Sequence, residues 1–371
     1  MRITFTLGLL LLLLSGYSCE KKTEEPQNDL PSSLTIDLLS VNHETAEVVF
    51  QATAVNATRF EFFPGNAESP ALSNSDGFFE YQFDSPGNYP YAVRAYGASD
   101  KYIKADGIVE IIATEVEVPL NQGYFSPESY SGYQLTWYDE FNGSGIDEQK
   151  WGFDLGDGCP NLCGWGNNEL EFYRRENASV SGGTLIIEAK NQYFQNRNYT
   201  SAKLKTSDKF SFRYGRVDIR ALLPKGQGLW PALWMLGDNI NNVGWPASGE
   251  IDIMEMRGGG GRENQVLGTV HWDNDGHSHI GGAYTKSSGT FAEAYHVFSI
   301  VWDETAIRWY VNNQEFYVAD ITSANMTEFH QNFWLIFNVA VGGNFGGDPD
   351  FTTIFPQKMK VDYVRVFQHL K

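Results

Sequence analysis

Three carboxylates lie close together in the sequence Gly249-Glu250-Ile-Asp252-Ile-Met-Glu255, which otherwise reads as an apolar strand. Because side chains alternate between the two faces of a strand, Glu250 and Asp252 share a face. Strict alternation would turn Glu255 to the other face, and a β-bulge at about Ile253–Met254 would return it. Like charges at this spacing repel one another, and burial raises their pKa. The pattern favours a catalytic group of acids over its alternative, a solvated polar strand face.

Glycoside hydrolysis makes use of such a group, because one carboxylate attacks the anomeric carbon while a protonated partner protonates the leaving oxygen. Retaining enzymes hold these two carboxyls about 5–5.5 Å apart. On a flat strand Glu250 and Glu255 would lie roughly 13 Å apart, at about 3.3 Å per residue. The prediction therefore requires a curved strand on which the side chains converge. Asp252 would hydrogen-bond the nucleophile and tune its charge.

Tryptophans accompany the acids along the chain. Trp230 and Trp234 lie in one apolar stretch, and Trp245 lies just before the acids, between Gly244 and Pro246. Indole faces stack on the apolar faces of pyranose rings, but they also fill protein cores, which is the commoner role for any one tryptophan. The position of Trp245 favours a platform for a sugar ring.

Strands and turns must position these residues, because the composition indicates an all-β protein. The chain has 371 residues, of which 15% are aromatic and 37 are glycines, and no long stretch has helical periodicity. The formal net charge of −19 argues against a nucleic-acid partner, because such binding uses Lys and Arg to neutralise phosphates. The simplest role of this charge is solubility.

The N-terminus predicts export. Residues 1–18 contain Arg2 and then the apolar run Leu7–Leu14, which is too short to span a membrane and fits a secretory signal. The segment ends at Ser18-Cys19 and resembles a bacterial lipobox, although Gly16 stands where leucine is usual. We expect a lipid anchor on Cys19 and an outer-membrane lipoprotein, with the membrane face left open; ordinary cleavage with a free thiol is the alternative. Residues 19–33 are charged and contain proline, as in a tether.

Two β domains are predicted after the tether. Residues 34–117 contain short alternating strands, as in an immunoglobulin-like sandwich, and no cluster of catalytic residue types. We interpret this domain as a spacer, with sugar binding as the alternative. Residues 118–132 read as a linker, and residues 133–371 as one large sandwich or jelly roll. Cys159 and Cys163, four residues apart, predict a small-loop disulfide rather than a metal site.

The large domain resembles family 16 glycoside hydrolases, and within them the bacterial laminarinase-type endo-β-1,3-glucanases. The small domain is similar to polycystic-kidney-disease-type modules at Asp84-Ser-Pro-Gly-Asn-Tyr-Pro-Tyr. The resemblance of the large domain rests on ordered segments that include Trp137-Tyr-Asp-Glu-Phe, Gly164-Trp-Gly-Asn-Asn-Glu, Leu229-Trp-Pro-Ala-Leu-Trp, Trp245-Pro-Ala-Ser-Gly-Glu-Ile-Asp-Ile-Met-Glu255, Gly268-Thr-Val-His271 and Val361-Asp-Tyr-Val-Arg.

This resemblance implies a β-jelly roll with an open cleft and a retaining mechanism that needs no cofactor. It implies Glu250 as the nucleophile, Glu255 as the acid/base, Asp252 as the assisting carboxylate and His271 beside the acid/base, where a purely structural histidine is the alternative. The residues implied to contact sugar are Asn168, Trp230, Trp234 and Trp245.

A structural calcium ion is also implied, held by Glu140, the carbonyl of Gly183 and Asp362, since calcium prefers oxygen ligands. One departure from the family pattern is Lys203, which stands where arginine is usual and lacks its planar, bidentate donors. This substitution leaves the subsite preference open.

These observations predict a monomeric glycoside hydrolase that acts on β-1,3-glucan from within the chain. A mixed-linkage β-1,3-1,4-glucanase is the alternative within the enzyme class. The alternative outside that class is a glycan-binding protein on the same sandwich, with inactive acids.

Overall fold

A computed structural model describes residues 30–43, 45–84, 86–112 and 117–370. The predicted signal 1–18 and Cys19 lie outside these residues, as does most of the tether 19–33. The described chain forms two compact units. The first contains the described residues up to Ser40, with Val48–Tyr81 and Pro90–Ile108, and the second contains Val41–Glu47, Gln82–Tyr89 and the chain from Val109.

The first seven strands form two sheets. They are β1 (Ser32–Asn42), β2 (Glu47–Val55), β3 (Arg59–Pro64), β4 (Leu72–Asn74), β5 (Phe78–Gln82), β6 (Gly87–Tyr96) and β7 (Tyr102–Ile111). One sheet has the order β1-β2-β5 and the other the order β4-β3-β6-β7. Phe62 of β3 is fully buried and packs on Phe50 of β2 and Phe79 of β5, with ring centroids 5.3 and 5.6 Å away. The β structure predicted before the large domain is therefore confirmed, and it takes the form of two packed sheets.

The following seventeen strands make up most of the second unit. They are β8 (Tyr133–Asp139), β9 (Gly152–Asp154), β10 (Glu171–Tyr173), β11 (Ala178–Ser181), β12 (Thr184–Phe194), β13 (Arg197–Ser201), β14 (Lys203–Lys205), β15 (Gly215–Leu222), β16 (Leu229–Gly237), β17 (Glu250–Glu255), β18 (Gln265–Asp273), β19 (His277–Thr285), β20 (His296–Trp302), β21 (Ala306–Val311), β22 (Gln314–Asp320), β23 (Phe333–Val341) and β24 (Gln357–His369). The helices between them are short: α1 (Ile240–Val243), α2 (Gly343–Gly346) and 3₁₀ turns at Cys163–Gly166, Arg175–Asn177 and Thr327–His330.

These strands form two large sheets. A seven-stranded sheet has the order β19-β18-β17-β16-β23-β14-β9. A ten-stranded sheet has the order β10-β13-β12-β24-β15-β20-β21-β22, with β11 beside β12 and β8 beside β24. One apolar cluster fills the second unit, and every residue of β15 and of β23 is buried, as expected of central strands covered on both faces. The all-β, jelly-roll prediction is confirmed.

The apolar core packs against one side of strand β17. Ile251, Ile253 and Met254 of β17 are at most 2% exposed and belong to the apolar cluster. Trp309 of β21 lies in the same cluster, and its Nε1 donates a hydrogen bond of 2.8 Å to the backbone carbonyl of Asp252. The core therefore fixes the backbone from which the acids project. Among the described residues, no helix is long and apolar enough to cross a membrane.

Candidate active site

The strand β17 contains the predicted bulge. Against β16, Asp252 pairs with Trp234 and Met254 pairs with Leu233, so Ile253 has no partner of its own. Against β18, the register also shifts between Asp252 and Glu255. The extra residue returns Glu255 to the side of the strand that carries Glu250 and Asp252, which we call the carboxylate face. The sequence prediction of a bulge at Ile253–Met254 is confirmed.

Glu250 is held by two neighbours on the carboxylate face. Trp245 Nε1 donates a hydrogen bond of 3.1 Å to Glu250 Oε2. His271 Nε2 lies 3.8 Å from Glu250 Oε1, because Glu250 and His271 are facing partners of β17 and β18. Both contacts favour the ionised form of the carboxyl, which is the form that a nucleophile requires.

Glu255 is held by a different indole. Trp230 Nε1, on β16, donates a hydrogen bond of 3.0 Å to Glu255 Oε1. The Trp230 ring is partly buried and packs on Phe345 of α2, with centroids 5.0 Å apart. Each glutamate of the pair thus accepts an N–H from its own tryptophan, and this contact is a role that the sugar-platform interpretation did not include.

Asp252 lies deepest of the three acids. It is 3% exposed, and its Oδ2 lies 3.1 Å from His271 Nε2, although the contact is not aligned as a good hydrogen bond. His271 therefore bridges Glu250 and Asp252, rather than lying beside Glu255 alone.

Burial raises the pKa of all three acids to about 8, from 4.5 for the glutamates and 3.8 for the aspartate. Burial is the largest cause in each case, and the charge of Asp252 further raises the pKa of both glutamates. His271 and the indole N–H on each glutamate lower the pKa of Glu250 and Glu255. The acids therefore titrate as one coupled group, which retains protons at a pH where a surface carboxyl has lost them.

The other residues implied to contact sugar have distinct environments. Trp245 is 49% exposed, which leaves much of its ring free to meet a ligand. Trp234 is partly buried, and its Nε1 donates a hydrogen bond of 2.7 Å to Asn338 Oδ1. Asn168 has a left-handed backbone at φ +59°, and its Nδ2 donates to Asn344 Oδ1 at 2.9 Å. Only Trp245 among them combines large aromatic area with high exposure.

Lys203, the departure from the family pattern, is largely buried. Its Nζ lies over the rings of Trp165 and Trp234, 4.4 and 5.0 Å from their centroids, and 3.9 Å from Asp154 Oδ2. Aromatic faces and a carboxylate therefore stabilise its charge.

A buried polar network was not predicted. Tyr173 donates its hydroxyl to Glu169 Oε2 at 2.9 Å, and Asn338 Nδ2 donates to the Tyr173 oxygen at 3.0 Å. Glu171 is fully buried, and burial, followed by the charge of Glu169, raises its pKa. Through Asn338 this network also holds Trp234. Sequence reasoning missed it because Asn338 lies on β23, whereas the other members lie on β10 or just before it, far away in the chain.

A disulfide joins Cys159 to Cys163, as predicted. Next to it, Gly164 N donates to the carbonyl of Asp157 at 2.8 Å, and Glu169 N donates to the carbonyl of Gly164 at 3.0 Å. The closed loop thus leads directly into the backbone that carries Asn168.

Two of the three positions implied for calcium accept hydrogen bonds from arginines. Glu140 accepts two hydrogen bonds from Arg365, at 2.7 and 2.8 Å, and Asp362 accepts one of 2.7 Å from Arg220. These arginines offset the negative charge that attracts a cation. A calcium ion here would have to bind through the remaining oxygen lone pairs and the carbonyl of Gly183.

Comparisons with known proteins agree with this geometry. Residues 169–365, more than half of the chain, match glycosyl hydrolases family 16. A β-glucanase of Rhodothermus marinus is 42% identical over 258 residues, which cover 64% of this chain and 85% of that protein. Glucan endo-1,3-beta-glucosidase A1 of Niallia circulans is 42% identical over 262 residues, 64% of this chain and 38% of that protein. This chain thus spans little more than a third of the Niallia protein.

A solved structure of a similar protein agrees with the family match. The laminarinase catalytic domain of Thermotoga maritima MSB8 has a TM-score of 0.60 and 44% identity, covering 64% of this chain and 99% of that chain. The family match contains the whole bulged strand β17 with its three acids. The chain belongs to glycosyl hydrolases family 16.

Proposed function

We propose that this family 16 glycoside hydrolase cleaves β-1,3-glucan internally and with retention, with Glu250 as nucleophile and Glu255 as acid/base. One observation carries the proposal: a single bulged strand presents both glutamates on one face, each held by an indole N–H, around a buried aspartate. No role in folding accounts for this arrangement, because burying three acids opposes their ionisation.

The reaction has two steps. Protonated Glu255 gives its proton to the glycosidic oxygen while the Glu250 carboxylate attacks the anomeric carbon; the carbon–oxygen bond breaks and a glycosyl ester of Glu250 forms. The Glu255 carboxylate then takes a proton from water, whose oxygen attacks the anomeric carbon and releases Glu250. Glu255 regains in the second step the proton that it gave in the first, so the reaction requires no cofactor.

The surroundings of the two glutamates are alike, since His271 and one indole N–H lower the pKa of each. The N–H of Trp245 and the nearby His271 both lower the pKa of Glu250, which favours its ionised form. For Asp252 burial is the cause that raises the pKa. Asp252 in this proposal tunes the nucleophile, because the charge of Asp252 raises the pKa of Glu250.

The substrate class follows from the relatives and from the platform residue. One of the compared proteins is named a laminarinase, one a glucan endo-1,3-beta-glucosidase and one a β-glucanase. Trp245 presents a half-exposed indole directly beside the nucleophile, as stacking on a pyranose ring requires. These observations favour β-1,3-glucan over the mixed-linkage alternative. Measuring the products released from laminarin, lichenan and agarose compares the two substrates directly.

Azide rescue tests the assignment of the two glutamates. Glu250→Ser and Glu255→Ala should each lose hydrolysis of laminarin, by about 10²–10⁴-fold for the acid/base variant. With an activated aryl β-laminaribioside, azide should give the α-glycosyl azide with Glu250→Ser and the β-glycosyl azide with Glu255→Ala. The exposed Glu304→Gln is the matched control and should keep activity. Activity that survived Glu250→Ser would refute the assignment of the nucleophile. Laminarin bound by the wild type without any product would favour the glycan-binding alternative and refute the proposal.

We also propose export and anchoring through a lipid on Cys19, with the first unit acting as a spacer. Labelled palmitate should enter the wild-type chain and not Cys19→Ser. For calcium, we propose a structural role only: added CaCl₂ should raise the melting temperature of chelator-treated protein, and Asp362→Asn should remove that gain.

A further inference from the structure

Three histidines lie side by side at the edge of the carboxylate face. Strands β18 and β19 form a hairpin in which His271 pairs with His279 and Asp273 pairs with His277. Facing residues of antiparallel strands, and residues two positions along, share one face of a sheet. The three imidazoles accordingly stack, with ring centroids 5.0 to 5.6 Å apart. The sequence analysis singled out only His271.

The nitrogen atoms of these rings are close enough to share one ion. His271 Nδ1 lies 2.8 Å from His277 Nε2, and one nitrogen from each of the three rings lies within 4.8 Å of the others. A tetrahedral zinc ion, with zinc–nitrogen bonds of about 2.0–2.1 Å, holds its ligands roughly 3.3 Å apart. Small rotations of the rings, of which His277 and His279 are exposed, close that difference. Imidazole nitrogens suit Zn²⁺, Cu²⁺ and Ni²⁺ rather than Ca²⁺ or Mg²⁺.

A second observation also indicates a ligand. The other nitrogen of His271, Nε2, lies 3.1 Å from Oδ2 of Asp252. That oxygen is buried and has no well-aligned hydrogen bond among the described residues. Metal-bound histidines usually donate their second N–H to a carboxylate, which orients the ring and raises its basicity. Metal on Nδ1 would place the proton on Nε2, facing this carboxylate. Exposed Asp273, paired with His277, adds negative charge nearby.

We propose that His271, His277 and His279 form a binding site for a divalent cation of the zinc type, and that the bound ion inhibits the enzyme. His277 lies 4.6 Å from the ring of Trp245, and His271 contacts two of the acids. An ion with its bound water therefore occupies space beside the sugar platform. The inhibition rests on the proposed function, whereas metal binding does not.

Calorimetric titration of the full, tag-free chain with ZnCl₂ tests the site directly. We expect one equivalent bound by the wild type, with MgCl₂ giving no binding at the same concentration. Even changes outside the ligand shell cost metal sites about 10–100-fold in affinity, so His277→Gln and His279→Gln should each weaken binding by at least about tenfold. His369→Gln, an exposed histidine on the ten-stranded sheet, is the matched control and should bind as the wild type does.

Laminarin hydrolysis then tests the consequence. Zinc should inhibit the wild type and His369→Gln, a chelator should restore their activity, and His277→Gln and His279→Gln should keep their basal activity in its presence. Zinc binding of wild-type affinity by both hairpin variants, or absence of zinc binding by the wild type, would overturn the proposal. A chain that bound zinc at this site but released no sugar would support the metal site and contradict the proposed function instead.

Discussion

Replacing Trp230 with phenylalanine removes one hydrogen-bond donor from Glu255, the proposed acid/base, and little else. The indole Nε1 of Trp230 donates to Glu255 Oε1 at 3.0 Å, and this bond lowers the pKa of Glu255. Phenylalanine keeps an aromatic ring that can pack on Phe345, but it has no N–H. The ionised form of Glu255 loses its donor, so its pKa should rise further above about 8.

The size of the shift follows from the burial of the pair. A hydrogen bond to a charged group contributes about 1.5–3 kcal/mol, and one pKa unit corresponds to about 1.36 kcal/mol. Glu255 is 9% exposed, so water only partly replaces the lost donor. We expect a rise of about one pKa unit, the lower end of that range. Since Glu255 must be protonated to act as the acid, the alkaline limb of the profile of kcat/KM should move up by the same amount.

The matched variant is Trp245→Phe, which removes the N–H from Glu250. This loss raises the pKa of Glu250, which must be ionised to act as the proposed nucleophile, so the acidic limb should move up instead. Because Trp245 is 49% exposed, water replaces its N–H more easily and the shift should be smaller. Initial rates on laminarin from acid to alkaline pH measure both limbs. An alkaline limb unmoved in Trp230→Phe, or a shift of the acidic limb in that variant alone, would refute the assignment of the two roles.

Three further predictions concern the same strand and its support. Asp252→Asn removes a like charge that raises the pKa of Glu250, so the acidic limb of the rate profile should move to lower pH; an unchanged limb contradicts the coupling. Folding raises the pKa of Glu250 from 4.5 to about 8, so the folded state binds more protons in that range and stability falls as pH rises through it. Calorimetry should therefore show that Glu250→Gln has a higher free energy of unfolding than the wild type at alkaline pH, by about 0.5–2 kcal/mol. A difference in stability that does not change with pH contradicts this. In Gly268→Ala the new Cβ would lie 2.2 Å from Trp309, so denaturant unfolding should show a loss of about 1–3 kcal/mol, against little change in Gly145→Ala, which has open space around it.

The bulge in β17 could be predicted because it concerns local periodicity. Three acids with a common task cannot share a face at positions 250, 252 and 255 unless one residue is extra, and Ile253 is that residue. The all-β fold was likewise readable from alternation and from the lack of helical periods. Both features depend on neighbours in sequence, where a pattern carries most of its information.

Contacts set by strand order could not be predicted in this way. The N–H of Trp230 reaches Glu255 because β16 pairs with β17 in one particular register. His271 and His279 meet because the β18–β19 hairpin places them opposite each other. Arg365, which donates to Glu140, lies on β24, more than two hundred residues later in the sequence. Such pairings depend on which strands become neighbours, which a single sequence does not encode in any local pattern.

Trapping of the covalent intermediate tests the central claim most directly. A 2-deoxy-2-fluoro laminaribioside with a good leaving group slows the second step more than the first, so the glycosyl enzyme accumulates. Peptide mapping by mass spectrometry should find one glycosyl group per chain, attached to Glu250. A glycosyl group on Asp252 or Glu255, or release of products with inverted anomeric configuration and no adduct, would contradict the account.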